Sequence, residues 1–509
     1  MLMPQTFKRL LHPALMLFLG LAGLYVVALV YATGEGLLAA VMLLTLACFL
    51  WIYSSAKTYA YRYLFPGIGA ALIFVVFPML YTVRIGFTNY SSKNLLTFQR
   101  ATNYLLEETY RADGATYNSS LHAEGARWRL RLEDADTAKA FVTEPLSLAP
   151  EKPQILKATP APAAALGEEM PMRDLITHQA ALKTLSVQMP DGGQVRMTGL
   201  REFAPARQQY TLNKDGSLTN NQDQSLLRPN RRTGFYETAS GDTVDPGFQV
   251  DIGWKHYVYI LTDTGAREPF VRIFVWTVVF AGLSVLFTFS LGAVLAVLLN
   301  WENLRFRSVY RLLLFLPYAI PGFIMILVFK GLFNNNLGEI NIVLSGLFGI
   351  KPAWFSDPFL AKAMILIVNT WLGFPYMMVI TMGLIKAIPL DLYEASAVAG
   401  AGPLTNFFKI TLPLIIKPLT PLLISSFAFN FNNFVLINLL TGGRPDILNT
   451  SLPAGTTDIL ATYTYRIAFE DSGQQFGLAA AISTLIFLMV AAISIIQIRA
   501  TKITQDDKR

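Results

Sequence analysis

Residues 387–413 read AIPLDLYEASAVAGAGPLTNFFKITLP, a stretch with the signals of two short helices joined by a glycine bend. Asp391 can cap the start of the first helix, and Glu394 lies three residues later at the position of a capping-box partner. Gly400 favours a stop, and Pro403 can open the second helix in its first turn. The small side chains of the first helix would let another protein approach closely, although a helix lying on a membrane surface has the same pattern.

Long apolar segments lie on both sides of this stretch. Of the 509 residues, 53% are hydrophobic and 15% are charged, whereas soluble domains carry about 25% charged residues. A helix needs about 20 mostly apolar residues to cross a bilayer. The sequence therefore predicts an α-helical polytopic membrane protein with eight transmembrane helices, at residues 14–33, 37–55, 66–87, 272–300, 311–331, 361–386, 412–440 and 475–498.

Polarity divides the chain into three parts. Residues 1–87 hold three predicted spans, residues 88–271 form a polar insert, and residues 272–509 hold the other five spans. Within the insert, the alternation Trp-Arg-Leu-Arg-Leu at 128–132 is typical of a half-buried strand. The insert is therefore predicted to be a β-rich mixed domain.

Basic residues in short loops indicate the topology, because loops rich in Lys and Arg stay in the cytoplasm. With the N-terminus inside, the cytoplasmic side collects Lys8, Arg9, Lys57, Arg62, Arg305, Arg307, Arg311, Lys386, Lys409, Lys417, Arg499, Lys502, Lys508 and Arg509. The short outer loops and their flanks collect Lys330, Lys351, Lys362, Arg444 and Arg466. We therefore expect both termini in the cytoplasm and residues 88–271 outside the membrane.

Several kinds of chemistry have no support in the sequence. The chain lacks the Gly-x-x-x-x-Gly-Lys-Ser/Thr phosphate loop of ATPases, so any ATP that drives it must bind a partner. No Asp, Glu or His occupies the middle of a predicted span, which counts against proton coupling in a self-contained secondary transporter. His122 and His178 have no companion Cys or His at metal-ligand spacing, so neither catalytic residues nor metal ligands are predicted for a membrane-anchored enzyme or receptor.

Polar and aromatic residues recur at helical spacing in two predicted spans. They are Asn369, Gly373 and Tyr376 in the sixth span and Ser426, Phe429, Asn430 and Asn433 in the seventh. Residues at i, i+4 and i+7 share one helix face, so amide, hydroxyl and aromatic groups could line a pocket for an uncharged sugar, with room left by Gly373. Asn and Ser also join transmembrane helices through hydrogen bonds worth about 0.6–2 kcal/mol, so the spacing alone leaves helix packing as an alternative.

The stretch quoted first resembles the EAA loop of the membrane subunits of ABC importers. The matching residues are Glu394–Ala395, Gly400, Ile410 and Leu412–Pro413. The glycine lies six residues after the glutamate, and the Ile-x-Leu-Pro ending lies sixteen to nineteen residues after it. Ala399 departs from the pattern, because an aspartate is common there, and this weakens any inference about a polar contact at that position.

The resemblance extends over essentially the whole chain. It includes Leu316-Pro-Tyr-Ala-Ile-Pro321, Gly338-Glu-Ile-Asn341 and Phe427-Ala-Phe-Asn-Phe-Asn-Asn-Phe-Val-Leu-Ile437. Together with the large insert and two additional N-terminal spans, these stretches resemble the maltose and maltodextrin permeases among binding-protein-dependent type I ABC importers. The implied fold is a type I importer permease core that carries an inserted periplasmic domain.

The resemblance implies a transport subunit rather than an enzyme. It would lie in the bacterial inner membrane and import maltose or maltodextrins by alternating access, with another oligosaccharide as the alternative. The implied partners are a second permease subunit, two cytoplasmic ATPase subunits and a periplasmic sugar-binding protein. ATP and magnesium would bind the ATPase partners, so no cofactor is expected in this chain.

The resemblance also assigns roles to particular residues. Those in matching positions for sugar binding are Asn369, Leu372, Gly373, Tyr376, Ser426, Phe429, Asn430 and Asn433. Those implied in coupling to the ATPase are Glu394, Ala395, Gly400, Ile410, Leu412 and Pro413.

Overall fold

The computed structural model describes residues 5–500 except 56, 126, 149–153, 162–165, 302 and 472. The chain forms two compact units. The membrane unit comprises Met1–Ser92 and Asp251–Arg509, and the inserted unit comprises Lys93–Val250. The compact insert is thus shorter than the 88–271 expected from polarity, because the helices that follow residue 251 belong to the membrane unit.

The N-terminal part of the membrane unit is helical. Its helices are α1 (Gln5–Ala32), α2 (Gly36–Ser54), α3 (Tyr61–Ala71) and α4 (Phe77–Ile85). A π-helical turn at Leu72–Val76 joins α3 to α4, so that Tyr61–Ile85 forms a single apolar span. The α1–α2 hairpin packs closely where Gly20 and Gly23 face Leu50 and Leu46.

The described residues of the inserted unit form three helices and thirteen strands. They are α5 (Phe98–Glu107), β1 (Thr109–Arg111), β2 (Tyr117–Glu124), β3 (Arg127–Asp134), β4 (Ala140–Thr143), β5 (Gln154–Pro160), α6 (Met172–Thr177), α7 (Gln179–Lys183), β6 (Leu185–Gln188), β7 (Gln194–Gly199), β8 (Glu202–Gln208), β9 (Tyr210–Leu212), β10 (Leu218–Asn220), β11 (Leu226–Asn230), β12 (Phe235–Glu237) and β13 (Thr243–Val244). The alternating stretch at 128–132 lies in β3, as predicted.

Two sheets organise this unit. The larger has the order β1-β8-β2-β3-β4-β5-β6-β7, and an additional β7–β8 pairing closes it into a barrel-like sheet. The smaller is antiparallel with the order β13-β12-β11-β10-β9. Closure of the larger sheet leaves few free strand edges, and its interior packs around Leu121, Leu132 and Phe203. The prediction of a β-rich mixed domain is confirmed.

After the insert, the chain forms helices α8 to α13. They are α8 (Lys255–Thr262), α9 (Thr264–Asn300), α10 (Arg307–Phe315), α11 (Gly322–Leu332), α12 (Glu339–Phe348) and α13 (Pro358–Lys386). Asp263 caps α9 by accepting a hydrogen bond from the amide of Ala266. The predicted fifth span is not straight: its two halves, Arg307–Ala319 and Gly322–Leu332, meet at 93°. Pro317 and Pro321 account for the break, because proline removes a backbone donor and clashes with the preceding turn.

The rest of the chain contains helices α14 to α19. They are α14 (Leu390–Val398), α15 (Pro403–Asn406), α16 (Leu412–Phe431), α17 (Phe434–Leu440), α18 (Leu460–Tyr465) and α19 (Phe476–Ala500). In the described residues seven helices are long and apolar enough to cross a membrane, or eight if the bent pair counts as one span. The predicted fold class is confirmed, while the predicted termini at Met1 and Arg509 lie outside the described residues.

Three details of the predicted helix boundaries were wrong. Pro403–Phe431 forms one 29-residue span, so the second short helix of the loop is the beginning of the seventh span, and that span ends at Phe431 rather than residue 440. Asn433 stops it locally, because its side chain accepts a hydrogen bond from the amide of Leu436 and caps α17. Asp391 does not cap α14, because the helix begins at Leu390 and Pro389 occupies the N-cap position.

A buried charge cluster holds the segment between the seventh and eighth spans. Arg466 donates from Nη1 to Asp458 Oδ2 at 2.9 Å and from Nη2 to Asp446 Oδ1 at 2.7 Å, and its Nε lies 3.5 Å from Glu470 Oε2. Asp458 is completely buried. Burial raises its pKa to about 6, although the guanidinium of Arg466 opposes the shift. The same segment is tied to α9, because the amide of Leu460 donates to Thr277 Oγ1 at 3.1 Å.

Candidate functional site

A cavity of about 760 Å³ lies between the bent fifth span, α13 and α16. Its lining residues come from four regions. They are Thr288 on α9; Pro317, Tyr318, Ile320, Pro321, Gly322, Phe323 and Ile326 in the bent span; Asn369, Leu372, Gly373, Tyr376 and Met377 on α13; and Leu422, Ser425, Ser426, Phe429, Asn430, Asn433, Val435 and Leu436 from α16 onwards. All eight residues predicted for sugar binding are among them, so the structure brings the two stripes together around one space.

Three amide side chains connect α13 to the end of the seventh span at the cavity wall. Asn369 Nδ2 donates to Asn430 Oδ1 at 2.9 Å, and Asn433 Nδ2 donates to Asn369 Oδ1 at 3.2 Å. Asn430 in turn donates to the carbonyl of Ser426 at 2.8 Å. Because an amide oxygen has two lone pairs, Asn369 and Asn430 can each accept another hydrogen bond without breaking this network. The arrangement therefore serves helix packing and leaves acceptors for a ligand hydroxyl.

The aromatic residues of the predicted site are more exposed than its buried amides. Phe429 is 70% exposed and Tyr376 is 41% exposed, whereas Asn369 and Asn430 are each 7% exposed. None of the described lining residues carries a charge. Aromatic faces beside amide and hydroxyl groups, without charge, suit a neutral polar ligand with apolar faces.

Gly373 has a different role from the one predicted for it. A Cβ at this position would lie 2.7 Å from Thr288 Cγ2, so the space beside the glycine is already occupied by α9. Thr288 cannot move away easily, because its Oγ1 donates to the carbonyl of Ser284 at 2.7 Å. Gly373 therefore allows α9 and α13 to pack closely at the cavity edge.

We expect Gly373→Ala to lower stability by about 1–3 kcal/mol, the range for overpacking a close-packed interior. Thr288→Ser removes the methyl group that the new Cβ would strike and retains the hydroxyl, so the double variant should recover most of the loss. Chemical unfolding of the purified chain in mixed micelles would measure both effects. Equal stability of Gly373→Ala and the parent, or no recovery in the double variant, would contradict this packing role.

Several lining residues were not predicted from the sequence. Tyr318 and Phe323 flank the break in the fifth span and are about half exposed, at 48% and 55%. The prolines in this stretch could have indicated them, because broken membrane helices often line a binding cavity. Thr288 carried no such signal, since it reaches the cavity only through the close packing of α9 on α13.

The loop at 387–413 forms a second candidate site. Gly400 has a φ of +73°, which ends α14 in a left-handed turn, and the amide of Ala401 donates to the carbonyl of Ser396 at 3.0 Å. The Tyr393 and Thr411 hydroxyls lie 2.8 Å apart, within hydrogen-bond distance, so α14 is held against the start of the seventh span. The predicted glycine bend is therefore present.

The predicted coupling residues fall on two sides of this loop. Glu394, Ala395, Gly400 and Pro413 are exposed, whereas Ile410 and Leu412 are half-buried. Apolar side chains next to them are also open, including Val398 at 92% and Leu404 at 76% exposure. An exposed apolar patch is typical of a protein–protein contact. Ala399 lies in the turn itself.

Comparisons with known proteins cover both units of the chain. Residues 96–253 match the family model described as the maltose transport system permease protein MalF P2 domain, and residues 273–504 match that of the binding-protein-dependent transport system inner membrane component. The maltose/maltodextrin transport system permease protein MalF of Escherichia coli K12 is 52% identical over 498 residues, which are 96% of each chain. The protein of the same description from Yersinia pestis is 50% identical over 490 residues, covering 95% of this chain and 92% of that one. A solved bacterial ABC transporter involved in alginate import is 22% identical with a TM-score of 0.43, covering 49% of this chain and 84% of its own.

Proposed function

This chain belongs to the MalF family of maltose/maltodextrin transport permeases, multi-pass inner-membrane subunits of binding-protein-dependent importers, and we propose that its cavity carries maltose or maltodextrins by alternating access. The observation that supports this most directly is the uncharged cavity of about 760 Å³, within the usual range of about 300–1,000 Å³ for ligand pockets. A sugar in this space would lie against the face of Phe429 and hydrogen-bond to Asn369, Tyr376 and Asn430. Leu372, Gly373, Ser426 and Asn433 complete the proposed binding set.

The source of energy in this proposal lies outside the chain. Two cytoplasmic ATPase subunits would bind ATP and magnesium, a second permease subunit would complete the pathway, and a periplasmic binding protein would deliver the sugar. No cofactor is proposed for this chain. We further propose that both termini are cytoplasmic and that the inserted domain, predicted at residues 88–271, is periplasmic and receives the binding protein.

Coupling to the ATPase is assigned to the loop at 387–413. Glu394, Ala395, Gly400, Ile410, Leu412 and Pro413 form its proposed coupling set. Because the loop runs directly into the seventh span, a displacement of α14 by the ATPase would be transmitted to the helix that carries Phe429 and Asn430. ATP would then drive transport only by favouring one arrangement of the spans over the other.

Phe429→Ala tests the cavity assignment. Loss of roughly 60 Å² of ring face buried against a sugar, at about 25 cal/mol/Å², corresponds to about 1.5 kcal/mol or about a tenfold fall in uptake. The measurement is ATP-dependent uptake of labelled maltose by proteoliposomes that contain the chain with its partner subunits and binding protein. Phe74→Ala is a matched control, since Phe74 is 76% exposed on the third span, away from the cavity.

The same assay separates this proposal from the alternatives. Uptake without ATP or partners would indicate a secondary transporter, and uptake of another oligosaccharide in preference to maltose would change the proposed sugar. Unchanged uptake by Phe429→Ala would reject the assignment of the cavity as the sugar site.

A further inference from the structure

A second recess lies on another side of α13. It is an apolar groove of about 1100 Å³ between α9 and α13, and Phe329 of α11 also lines it. On α13, Trp371 lines the groove, whereas the next residues, Leu372 and Gly373, line the proposed sugar cavity. The groove is therefore separate from the cavity and has no role in the function proposed above.

Two cations meet at the mouth of this groove. Arg272 on α9 and Lys362 on α13 both line it. Lys362 is held in place, since its Nζ lies 4.6 Å from the centroid of the Trp276 ring, and Trp276 Nε1 donates to the carbonyl of Thr457 at 3.3 Å. Among the residues that the structure describes, no carboxylate oxygen lies within 4 Å of either cation. Glu268 lies one turn before Arg272 on α9 and lines a neighbouring recess with it, so these described side chains leave an excess of positive charge at the mouth.

The walls of the groove are apolar and open to the surroundings. Val275, Val279 and Ile367 are 54%, 42% and 49% exposed. On α9 the groove runs from Arg272 to Leu291, nineteen residues or about 28 Å at 1.5 Å per residue. This length is close to the full hydrocarbon thickness of about 30 Å, so an acyl chain that starts at the cationic end has an apolar wall beside it over its whole length.

We propose that the groove binds a phospholipid with an anionic headgroup. Its phosphate lies between the side chains of Arg272 and Lys362, and an acyl chain runs along Val279 and Ile367 towards Trp371. Charge complementarity favours an anionic lipid over a zwitterionic one, because a zwitterionic headgroup brings its own cation to an already positive mouth. Cations are also uncommon on the outer side of membrane proteins, so two of them at one apolar groove require a compensating partner.

The groove is assigned to the periplasmic leaflet on the topology proposed above, in which α9 begins on the periplasmic side. α13 runs in the same direction as α9, because Lys362 lies over Trp276 near the start of both helices and Met377 lies beside Gly292 further along them. A transmembrane helix of another subunit is a different occupant. It would cover the apolar walls but would have to provide a carboxylate for each cation, and the test below distinguishes it from a lipid.

The test uses the complete importer in nanodiscs of phosphatidylcholine that contain a trace of photoreactive lipid with a diazirine in its acyl chain. One sample contains the phosphatidylglycerol probe and the other the phosphatidylcholine probe, and labelled peptides are identified by mass spectrometry. We expect the phosphatidylglycerol probe to label the peptides around Val279 and Ile367 in preference. Each of Arg272→Gln and Lys362→Gln should reduce that labelling about fivefold, the effect of about one cation near a lipid surface. Lys351→Gln, which removes an exposed cation outside the groove, should leave it unchanged.

Two results would overturn the proposal. Equal labelling by the two probes, with no effect of either glutamine variant, would show that the groove does not recognise the headgroup. Absence of lipid labelling together with crosslinking of a photoreactive residue at position 279 to the second permease subunit would show that a protein helix occupies the groove.

Discussion

Arg466→Met should lower the free energy of unfolding by about 3–5 kcal/mol, the cost of leaving a buried ion without its partner. Asp458, which Arg466 contacts at 2.9 Å, is completely buried. Methionine matches the length of the arginine stem but cannot compensate the carboxylate. The measurement is unfolding of the purified chain in mixed micelles titrated with SDS, followed by tryptophan fluorescence.

This loss should depend on pH. The pKa of Asp458 is raised from 3.8 to about 6 by burial, and loss of Arg466 raises it further. A carboxyl whose pKa is raised in the folded state contributes stability below its unfolded pKa and loses that contribution as pH rises through the folded pKa. The destabilisation by Arg466→Met should therefore be larger near about pH 8 than near about pH 5.

Two further variants control for this prediction. Asp446→Ala removes a partner of Arg466 that is 48% exposed, so it should cost only about 0–1 kcal/mol. Combining Arg466→Met with Asp458→Leu should recover much of the stability, since a buried ion pair can be replaced by apolar side chains. If Arg466→Met costs no more than Asp446→Ala, the buried pair does not stabilise this segment.

The long helices could be predicted from the sequence because a bilayer-length apolar run is a local property. The bend of 93° in the fifth span could not be read from apolar length, since its two halves together have the composition of one span. The end of the seventh span was also misplaced. Its apolar pattern continues past Phe431, but the helix ends there and Asn433 caps a new helix, α17.

The candidate cavity could be predicted only in part, because local sequence spacing indicates some of its residues and not others. Residues on one helix face, such as Asn369 and Tyr376, can be recognised from their spacing in the sequence. The family resemblance added Leu372 to this set. Thr288 comes from an element whose position depends on tertiary packing, so no local pattern indicates it, whereas the prolines beside Phe323 were a local signal that was not used. The interpretation of Gly373 as free space was wrong because the neighbouring α9 could not be placed from the sequence.

Gly400→Val should strongly reduce coupled transport while the protein still inserts into the membrane. Gly400 has a φ of +73°, a conformation that a β-branched residue adopts only as an outlier. No atom lies within 4 Å of a Cβ built at this position, so the substitution causes no clash within the described chain. The strain, about 1–2 kcal/mol, would be relieved by turning α14 away from its present direction, and the exposed surface around Glu394 would no longer fit the ATPase.

Asparagine at the same position separates backbone geometry from side-chain bulk. Because asparagine adopts the left-handed conformation more readily than other residues, Gly400→Asn should retain most of the transport, although its side chain is similar in size to valine. Coupling free energies are typically about 1–3 kcal/mol, so the valine variant is expected to lose about 5–150-fold in ATP-dependent uptake per inserted copy. Uptake, ATP hydrolysis and co-purification of the ATPase subunits would be measured on the same preparations. Normal uptake with normal co-purification in Gly400→Val would reject the coupling role of the loop, whereas equal losses in the two variants would show that the ATPase excludes any side chain at position 400.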